Sequence, residues 1–417
     1  MIAPIVSLAQ MKINQWKSQE ELESIQERKL NGLVSYASKH VPHYKNLKGT
    51  HVRCLEDLSG LPLITKQDIR FNTDSFISDR YGKGSLVRVS TSGSSGTPLE
   101  IFHHSSEASH GVACEIHQLT EDGVRPFDAV AHINYRSVPQ RLPQRLGIFK
   151  RHYVSLYANE TDKLAALRKI WPRALICNPS ALLPLAQTNL ASRNPLKIGK
   201  IFSYSELLSE KGRQLLMRSF DCKIYDLYGV VETSWVAWQC EDGNMHLHSD
   251  SLIAEIVDDK GRPLKKGQYG NLVITTLWKR SMPMIRYSVG DRTAFVSKCR
   301  CGRGLHTLKP IEGRNDDFIV LPSGRLISPR VVDVAMRSLP DVLLFQAIQE
   351  EAGQLHIKIV PVGRQPPDQA KQNFLNTLKN SLSEPMKITL EFVDSLPQGR
   401  TGKIQSVISK IDTGLDL

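Results

Sequence analysis

Short apolar runs alternate with amphipathic stretches along most of this chain. Near the start, Leu22, Ile25, Leu30, Leu33, Val34 and Ala37 recur at helical spacing with charges between the earlier ones, and predict helix across residues 8–40. Val41-Pro42 ends it, because the residue before a proline is driven out of the helical region. From about residue 85 to 285 the pattern predicts strands at 85–90, 128–133, 173–177, 197–204 and 222–228, with helices at 179–191 and 209–220. That alternation predicts a layered α/β domain. Residues 251–290 change to strand-turn-strand. After Gly313 the rhythm changes again: a hairpin turning at Pro322–Gly324, a helix, two strands, a helix, a strand and a last helix. This is the pattern of a small α+β domain. The expected division is a large α/β domain at 1–313 and a small α+β domain at 314–417.

Length agrees, since 417 residues fit two domains better than one core. No stretch approaches the roughly 20 apolar residues of a membrane helix, and the opening segment lacks the layout of a signal peptide. Seven cysteines without a secretory signal argue for a reducing cytoplasm rather than a disulfide framework. The net charge of +12 comes from scattered Lys and Arg, with no long basic run or aromatic-interleaved stripe. Nucleic acid is therefore not an expected partner, and polyanionic small molecules are enough to explain the bias.

The densest chemistry is Ser90-Thr91-Ser92-Gly93-Ser94-Ser95-Gly96-Thr97-Pro98, directly after a predicted strand. Glycine lets backbone N–H groups approach an anion, and the hydroxyls add donors, as the phosphates of ATP require. It is not a Walker loop, since no Gly-Lys-Ser/Thr follows. On composition alone the lesser alternative is a flexible Gly/Ser loop. A second constellation is Cys299-Arg300-Cys301 with Cys240 and His246 upstream. Three cysteines and one histidine make a tetrahedral zinc set. His248 rivals His246 as the fourth ligand, Met245 reads as core, and free buried thiols are the alternative to a metal.

STSGSSGTPL resembles the phosphate loop of the adenylate-forming superfamily of acyl-CoA ligases and adenylation domains. Four further segments match in order: IYDLYGVVET (224–233), MIRYSVGD (284–291), EGRNDDF (312–318) and LPQGRTGKI (396–404). YASKHVPHYKNL (36–47) and LPLITKQDIR (61–70) are similar to the phenylacetate–CoA ligase branch and its relatives found with capsular-polysaccharide genes. The resemblance covers nearly the whole chain. It implies a large α/β N-terminal domain and a mobile α+β C-terminal domain.

The resemblance also implies roles. Thr91, Ser92, Gly93, Ser94, Ser95, Gly96 and Thr97 would cradle ATP phosphates, with Thr233, Ser205 and Glu206 also at the nucleotide. Glu232 would hold Mg²⁺, a hard cation suited to carboxylate and phosphate oxygens. Tyr228 would stack near the adenine, while Gly229 leaves room for the substrate carboxylate. Asp291 and Arg314 would reach the ribose, Asp316 would be the hinge, and Lys403 would stabilise charge during adenylation. Some relatives carry Cys-rich insertions where Cys240, His246, Cys299 and Cys301 stand, which favours structural zinc. The phosphate loop has Gly96-Thr97-Pro98 where many members have Gly-Lys-Pro, a difference shared with related branches; separately, 203–206 read Ser-Tyr-Ser-Glu in place of a Gly-Glu pair, which implies an atypical acid pocket. His132, Tyr135, Tyr204 and Trp235 are its candidates.

The implied activity is ATP-dependent formation of an acyl-adenylate from an aryl or other small organic acid, then transfer to coenzyme A. A carrier-protein thiol acting in trans, or an amine, is the alternative acceptor. A non-catalytic ATP-binding protein is disfavoured by intact Glu232, Asp291 and Lys403. The oligomeric expectation is monomer or homodimer.

Overall fold

A computed structural model describes residues 2–50, 52, 54–90, 99–135, 137–140, 142–296, 298–311, 319–327, 330–336, 338–382, 384–397 and 404–411. The chain divides into two compact units, Met1–Gly123 with Leu227–Ile311, and Val124–Asp226 with Glu312–Asp416.

The first unit opens with helices α1 (Ile2–Asn14) and α2 (Gln19–His40). One helical stretch was expected over 8–40, and the structure breaks it at residues 15–18. The reason is a capping box: Ser18 Oγ accepts the Glu21 N–H, and the Glu21 carboxylate accepts the Ser18 N–H. After α3 (Lys66–Phe71), strands β1 (Leu86–Ser90) and β2 (Glu100–His104) form an antiparallel pair that leads to α4 (Ala108–Glu121). Strand β7 (Lys223–Val230) begins in the other unit and ends in this one. Its C-terminal half pairs antiparallel with β8 (Ser234–Gln239), which pairs with β9 (Met245–Leu247), and β9 pairs with β13 (Thr307–Leu308). Strands β10 (Leu252–Val257), β11 (Gly270–Thr276) and β12 (Tyr287–Thr293) form a separate antiparallel sheet. Leu30 and Leu33 of α2, Leu272 and Ile274 of β11, and Tyr287 of β12 share one buried apolar core.

The second unit carries parallel strands in the order β4-β3-β5-β6: β3 (Val130–Asn134), β4 (Arg151–Ser155), β5 (Ala174–Cys177) and β6 (Lys200–Tyr204). The connections hold α5 (Leu142–Arg145), α6 (Glu160–Ile170) and α7 (Pro179–Leu190), and α8 (Glu210–Phe220) follows β6. Strand β5 is buried at every residue, as a parallel strand covered on both faces must be. The C-terminal part begins with the hairpin β14 (Ile319–Val320) and β15 (Leu326–Ile327), with the expected turn between them. It continues through α9 (Arg330–Met336), β16 (Val342–Gln349), β17 (Gln354–Pro361), α10 (Asp368–Leu382) and β18 (Lys387–Phe392). The last helix expected here is replaced among the described residues by β19 (Val407–Ser409), which pairs parallel with β16.

Two histidines of α4 pack against tryptophans in the first unit, His117 buried and His110 partly buried. His110 stacks on Trp278 at 4.6 Å between centroids, and His117 meets the edge of Trp238 at 5.5 Å. Burial lowers both rings to a pKa of about 4, although Asp250 acts on both, and Glu121 on His117, in the opposite sense. The unfolded rings titrate near 6.5. As pH falls from about 6.5 towards 4, the unfolded state takes up protons that the folded state refuses. Their contribution to stability is therefore complete above pH 6.5 and lost on acidification. Denaturant midpoints should fall between pH 7 and pH 5 in the native chain, and fall less in His110→Gln/His117→Gln. Equal slopes for the two chains would contradict this.

Candidate active site and metal centre

The two motif segments 228–233 and 287–291 meet in the first unit. Strand β7 carries Tyr228 and Gly229 up to a tight turn. A Cβ on Gly229 would lie 3.0 Å from both the Ser234 carbonyl oxygen and the Trp235 ring, so the register shift there needs glycine. Asp291 follows Gly290, whose φ of +82° suits glycine.

These positions create two hydrogen-bonded pairs. The Tyr228 hydroxyl donates to Asp291 Oδ2 at 2.5 Å, and Asp291 is buried. The Tyr287 hydroxyl donates to Glu232 Oε1 at 2.8 Å, with Glu232 only 5% exposed. Among the described residues Glu232 Oε2 takes no hydrogen bond, which leaves an oxygen for a hard cation. Mg²⁺ fits that donor and would be held there by Glu232, where it would neutralise phosphate charge. Beside Glu232, the Thr233 hydroxyl is buried without a hydrogen-bond partner among the described residues. A buried hydroxyl in that state costs free energy until a ligand or water satisfies it.

Three contributors were missed by sequence reasoning. Tyr287 was read only as part of a motif. Lys279 is fully buried and donates to the Glu232 carbonyl oxygen at 3.2 Å; burial lowers its pKa to about 8, against the pull of Glu107 and Glu232. Glu107 accepts the backbone N–H groups of Arg280 at 2.6 Å, Ser281 at 2.8 Å and His104 at 3.0 Å, and also the Ser281 hydroxyl. It ties the end of β2 to the segment that carries Lys279. A lone Glu at a helix start and a lone Lys gave no pattern to find them. Arg286, from the same motif as Asp291, is a clamp: it donates to Glu255 at 3.1 and 3.2 Å and to the Ser59, Leu61 and Gly261 carbonyls.

In the second unit, Ser205 and Glu206 follow strand β6. Ser205 has φ 78°, uncommon for a residue with a Cβ. The Glu206 carboxylate accepts the Ser180 N–H at 2.9 Å, the Ser180 hydroxyl at 2.8 Å and Asn178 Nδ2 at 3.0 Å. It also accepts the N–H of Ile404, the residue after Lys403, at 3.3 Å. His132 Nε2 and the Tyr204 hydroxyl are 3.1 Å apart, while Tyr135 is exposed. Thr91, Ser92, Gly93, Ser94, Ser95, Gly96, Thr97, Arg314, Asp316 and Lys403 lie outside the described residues.

The cysteine constellation closes up. Cys240 at the end of β8, His246 on β9, and Cys299 and Cys301 before β13 bring four ligand atoms within 4.8 Å of one another. Cys240 Sγ and Cys299 Sγ are 3.7 Å apart, and Cys301 Sγ is 3.2 Å from His246 Nε2. A tetrahedron with Zn–S near 2.3 Å has S···S edges of about 3.8 Å, so the spacing and donor set fit zinc. Asn244 Nδ2 donates to Cys299 Sγ at 3.2 Å, the kind of outer contact that orients a thiolate ligand. His248 is not in this cluster; its Nε2 meets Gln118 Nε2 at 2.9 Å. Met245 is buried, as a core residue should be.

This architecture is the adenylate-forming ligase fold. A crystal structure of 2-hydroxyisobutyryl-CoA ligase in the postadenylation state superposes with a TM-score of 0.80 at 18% identity, covering 95% of this chain and 91% of that one. Residues 319–410 match the CapK C-terminal domain. The phenylacetate–coenzyme A ligase of Thermus thermophilus is 28% identical over 81% of this chain and 80% of its own length. Protein CapK of Staphylococcus aureus is 22% identical over 96% of this chain and 92% of its own length. Over most of its length the chain is thus similar to phenylacetate–coenzyme A ligase and to Protein CapK, on the fold of the adenylate-forming ligases. No helix among the described residues is long and apolar enough to cross a membrane.

Proposed function

We propose that this AMP-forming ligase activates a small organic acid, aryl or aliphatic, and passes the acyl group to the thiol of coenzyme A. The observation that carries this reading is the double pairing of Tyr228 with Asp291 and of Tyr287 with Glu232, both carboxylates being buried. It supports a reading in which Asp291 takes the ribose hydroxyls and Glu232 a cation, both carboxylates held by tyrosines in one unit of the fold.

In the first half-reaction a carboxylate oxygen of the acid attacks the α-phosphorus of ATP and pyrophosphate leaves. The loop 91–97 and the Thr233 hydroxyl hold phosphates, Asp291 and Arg314 hold the ribose, and Tyr228 lies against the adenine. Lys403 stabilises the charge that builds on the phosphate oxygens. In the second, the thiol sulfur attacks the acyl carbonyl carbon, loses its proton and expels AMP. A small domain from residue 314, hinged at Asp316, carries Lys403 towards the nucleotide and away again. Glu206 belongs to this device, since its bond to the Ile404 N–H anchors the segment that follows Lys403. Zinc at Cys240, His246, Cys299 and Cys301 is structural, because four protein ligands leave no open position.

The acids named for relatives, phenylacetate and 2-hydroxyisobutyrate, set the range to test. ATP–pyrophosphate exchange should appear with one acid class in a panel spanning aryl and short hydroxy acids. Thioester should then accumulate with coenzyme A. Exchange without transfer to coenzyme A would move the acceptor to a carrier-protein thiol or an amine. No exchange with any acid would end the reading.

A further inference from the structure

At the N-terminal end of the parallel sheet, three large apolar side chains stand in solvent. Phe127 is 77% exposed, Leu146 69% and Trp171 71%. They belong to segments stitched together just before the strands begin. Phe149 N–H donates to the Pro126 carbonyl, and Arg173 N–H donates to the Ala129 carbonyl at 2.8 Å. A Cβ on Gly147 would lie 3.9 Å from Phe127 Cδ1, so the residue next to Leu146 lies against the Phe127 ring. The same ladder extends sideways: Gly199 lies against the Arg173 guanidinium, and Lys223 N–H donates to the Gly199 carbonyl at 3.1 Å.

Charge at this end is one-sided. The pre-strand segments 125–129, 147–150, 168–173, 192–199 and 221–223 contain eight Lys and Arg against two acids. Both acids are engaged: Asp128 accepts the Arg125 N–H at 2.8 Å, and Asp221 pairs with Lys197 at 2.9 Å. Arg125, Lys150, Lys169, Arg173 and Lys223 are exposed. Here basic residues accompany protruding aromatic and aliphatic groups.

We propose that this end of the sheet is a contact surface for an anionic lipid bilayer. Aromatic and aliphatic side chains that protrude singly fit the boundary between headgroups and acyl chains, and the basic ring matches an anionic surface. A polyanion such as nucleic acid would satisfy the charges but leave Phe127, Leu146 and Trp171 without a role. A thiol-carrying protein fits less well. Ser205 and Glu206 follow the C-terminal end of β6, and ligands of parallel sheets bind at that end. A carrier seated at the N-terminal end would hold its thiol on the wrong side of the sheet. A bilayer there leaves the opposite end facing water-soluble substrates. The inference does not depend on which acid is activated.

The test is co-sedimentation of the full chain with vesicles of phosphatidylcholine, alone or mixed with phosphatidylglycerol. Binding is expected with the anionic mixture only, and should weaken steeply with salt as exposed charges are screened. Phe127→Ser/Leu146→Ser/Trp171→Asn and Lys150→Glu/Arg173→Glu should each weaken it at least tenfold. Asparagine is chosen because Trp171 has φ 49°, which Asn tolerates. All these side chains are exposed, so melting temperature and nucleotide-dependent activity without vesicles should not change. No binding to anionic vesicles would overturn the proposal. So would binding that survives both sets of substitutions, or a shift from dimer to monomer caused by the apolar set, which would make this face a self-interface.

Discussion

Lys403→Ala is expected to slow acyl-adenylate formation by about 10²–10³, the usual cost of removing one charge-stabilising group from such a transition state. Thioester formation from a preformed acyl-adenylate should stay near its native rate. The asymmetry has a chemical cause. Charge builds on the α-phosphate and departing pyrophosphate only in the first step, whereas the second step expels AMP from a carbonyl carbon. The segment after this lysine is anchored by the Ile404 N–H on Glu206, so the alanine should leave the loop's exit in place. Asp316→Pro should give the reverse pattern, because it restricts a backbone hinge and leaves the phosphate site unchanged. Single-turnover rates of both half-reactions decide the matter. Equal losses in both steps for Lys403→Ala would remove this lysine from its assigned role.

The second large effect concerns the cysteine cluster. Purified protein should contain one zinc per chain, and Cys299→Ser/Cys301→Ser should contain none. The energetic consequence is large because four ligands converge from separate segments: the end of β8, strand β9 and the loop before β13. Metal binding to such a set is folding free energy, of order 10 kcal/mol in small zinc domains. Chelation should therefore lower the melting temperature of the native chain and do nothing further to the double variant. Acid should release the metal too, since the thiols and the imidazole must be deprotonated to bind. Elemental analysis alone can refute the site: a zinc-free native chain, or full zinc in the double variant, excludes this ligand set.

Much of this was legible in the sequence for a physical reason. Strands β5, β6 and β7 are short apolar runs bounded by breakers, and α7 and α8 are amphipathic, so local pattern and final state agree. The break between α1 and α2 was also written there, as Ser18-x-x-Glu21, but helical periodicity continues across it and hid the cap. The misread last helix is a different failure. Residues 407–409 become a strand because β16 offers a free edge for parallel pairing, and no local propensity encodes a partner some sixty residues away.

The site divides in the same way. Tyr228, Glu232 and Asp291 were identified as members of motifs. Their partners Tyr287 and Lys279 emerged only when β12 and the segment before it were brought beside the turn after β7. Residue type proposed the zinc set but could not separate His246 from His248, which are two residues apart. The fold separates them: His246 faces Cys301, and His248 faces Gln118. Glu206 was expected at the nucleotide, and its hydrogen bonds to Asn178, Ser180 and Ile404 were not readable from its neighbours in sequence.

Nucleotide analysis during turnover tests the central claim most directly. The chain is incubated with ATP, Mg²⁺, coenzyme A and the acid that supports exchange, and nucleotides and thioester are resolved chromatographically. AMP should form in step with the acyl thioester, and omission of the acid should abolish both. ADP as the nucleotide product, or ATP consumption indifferent to the acid, would contradict an adenylate-forming ligase.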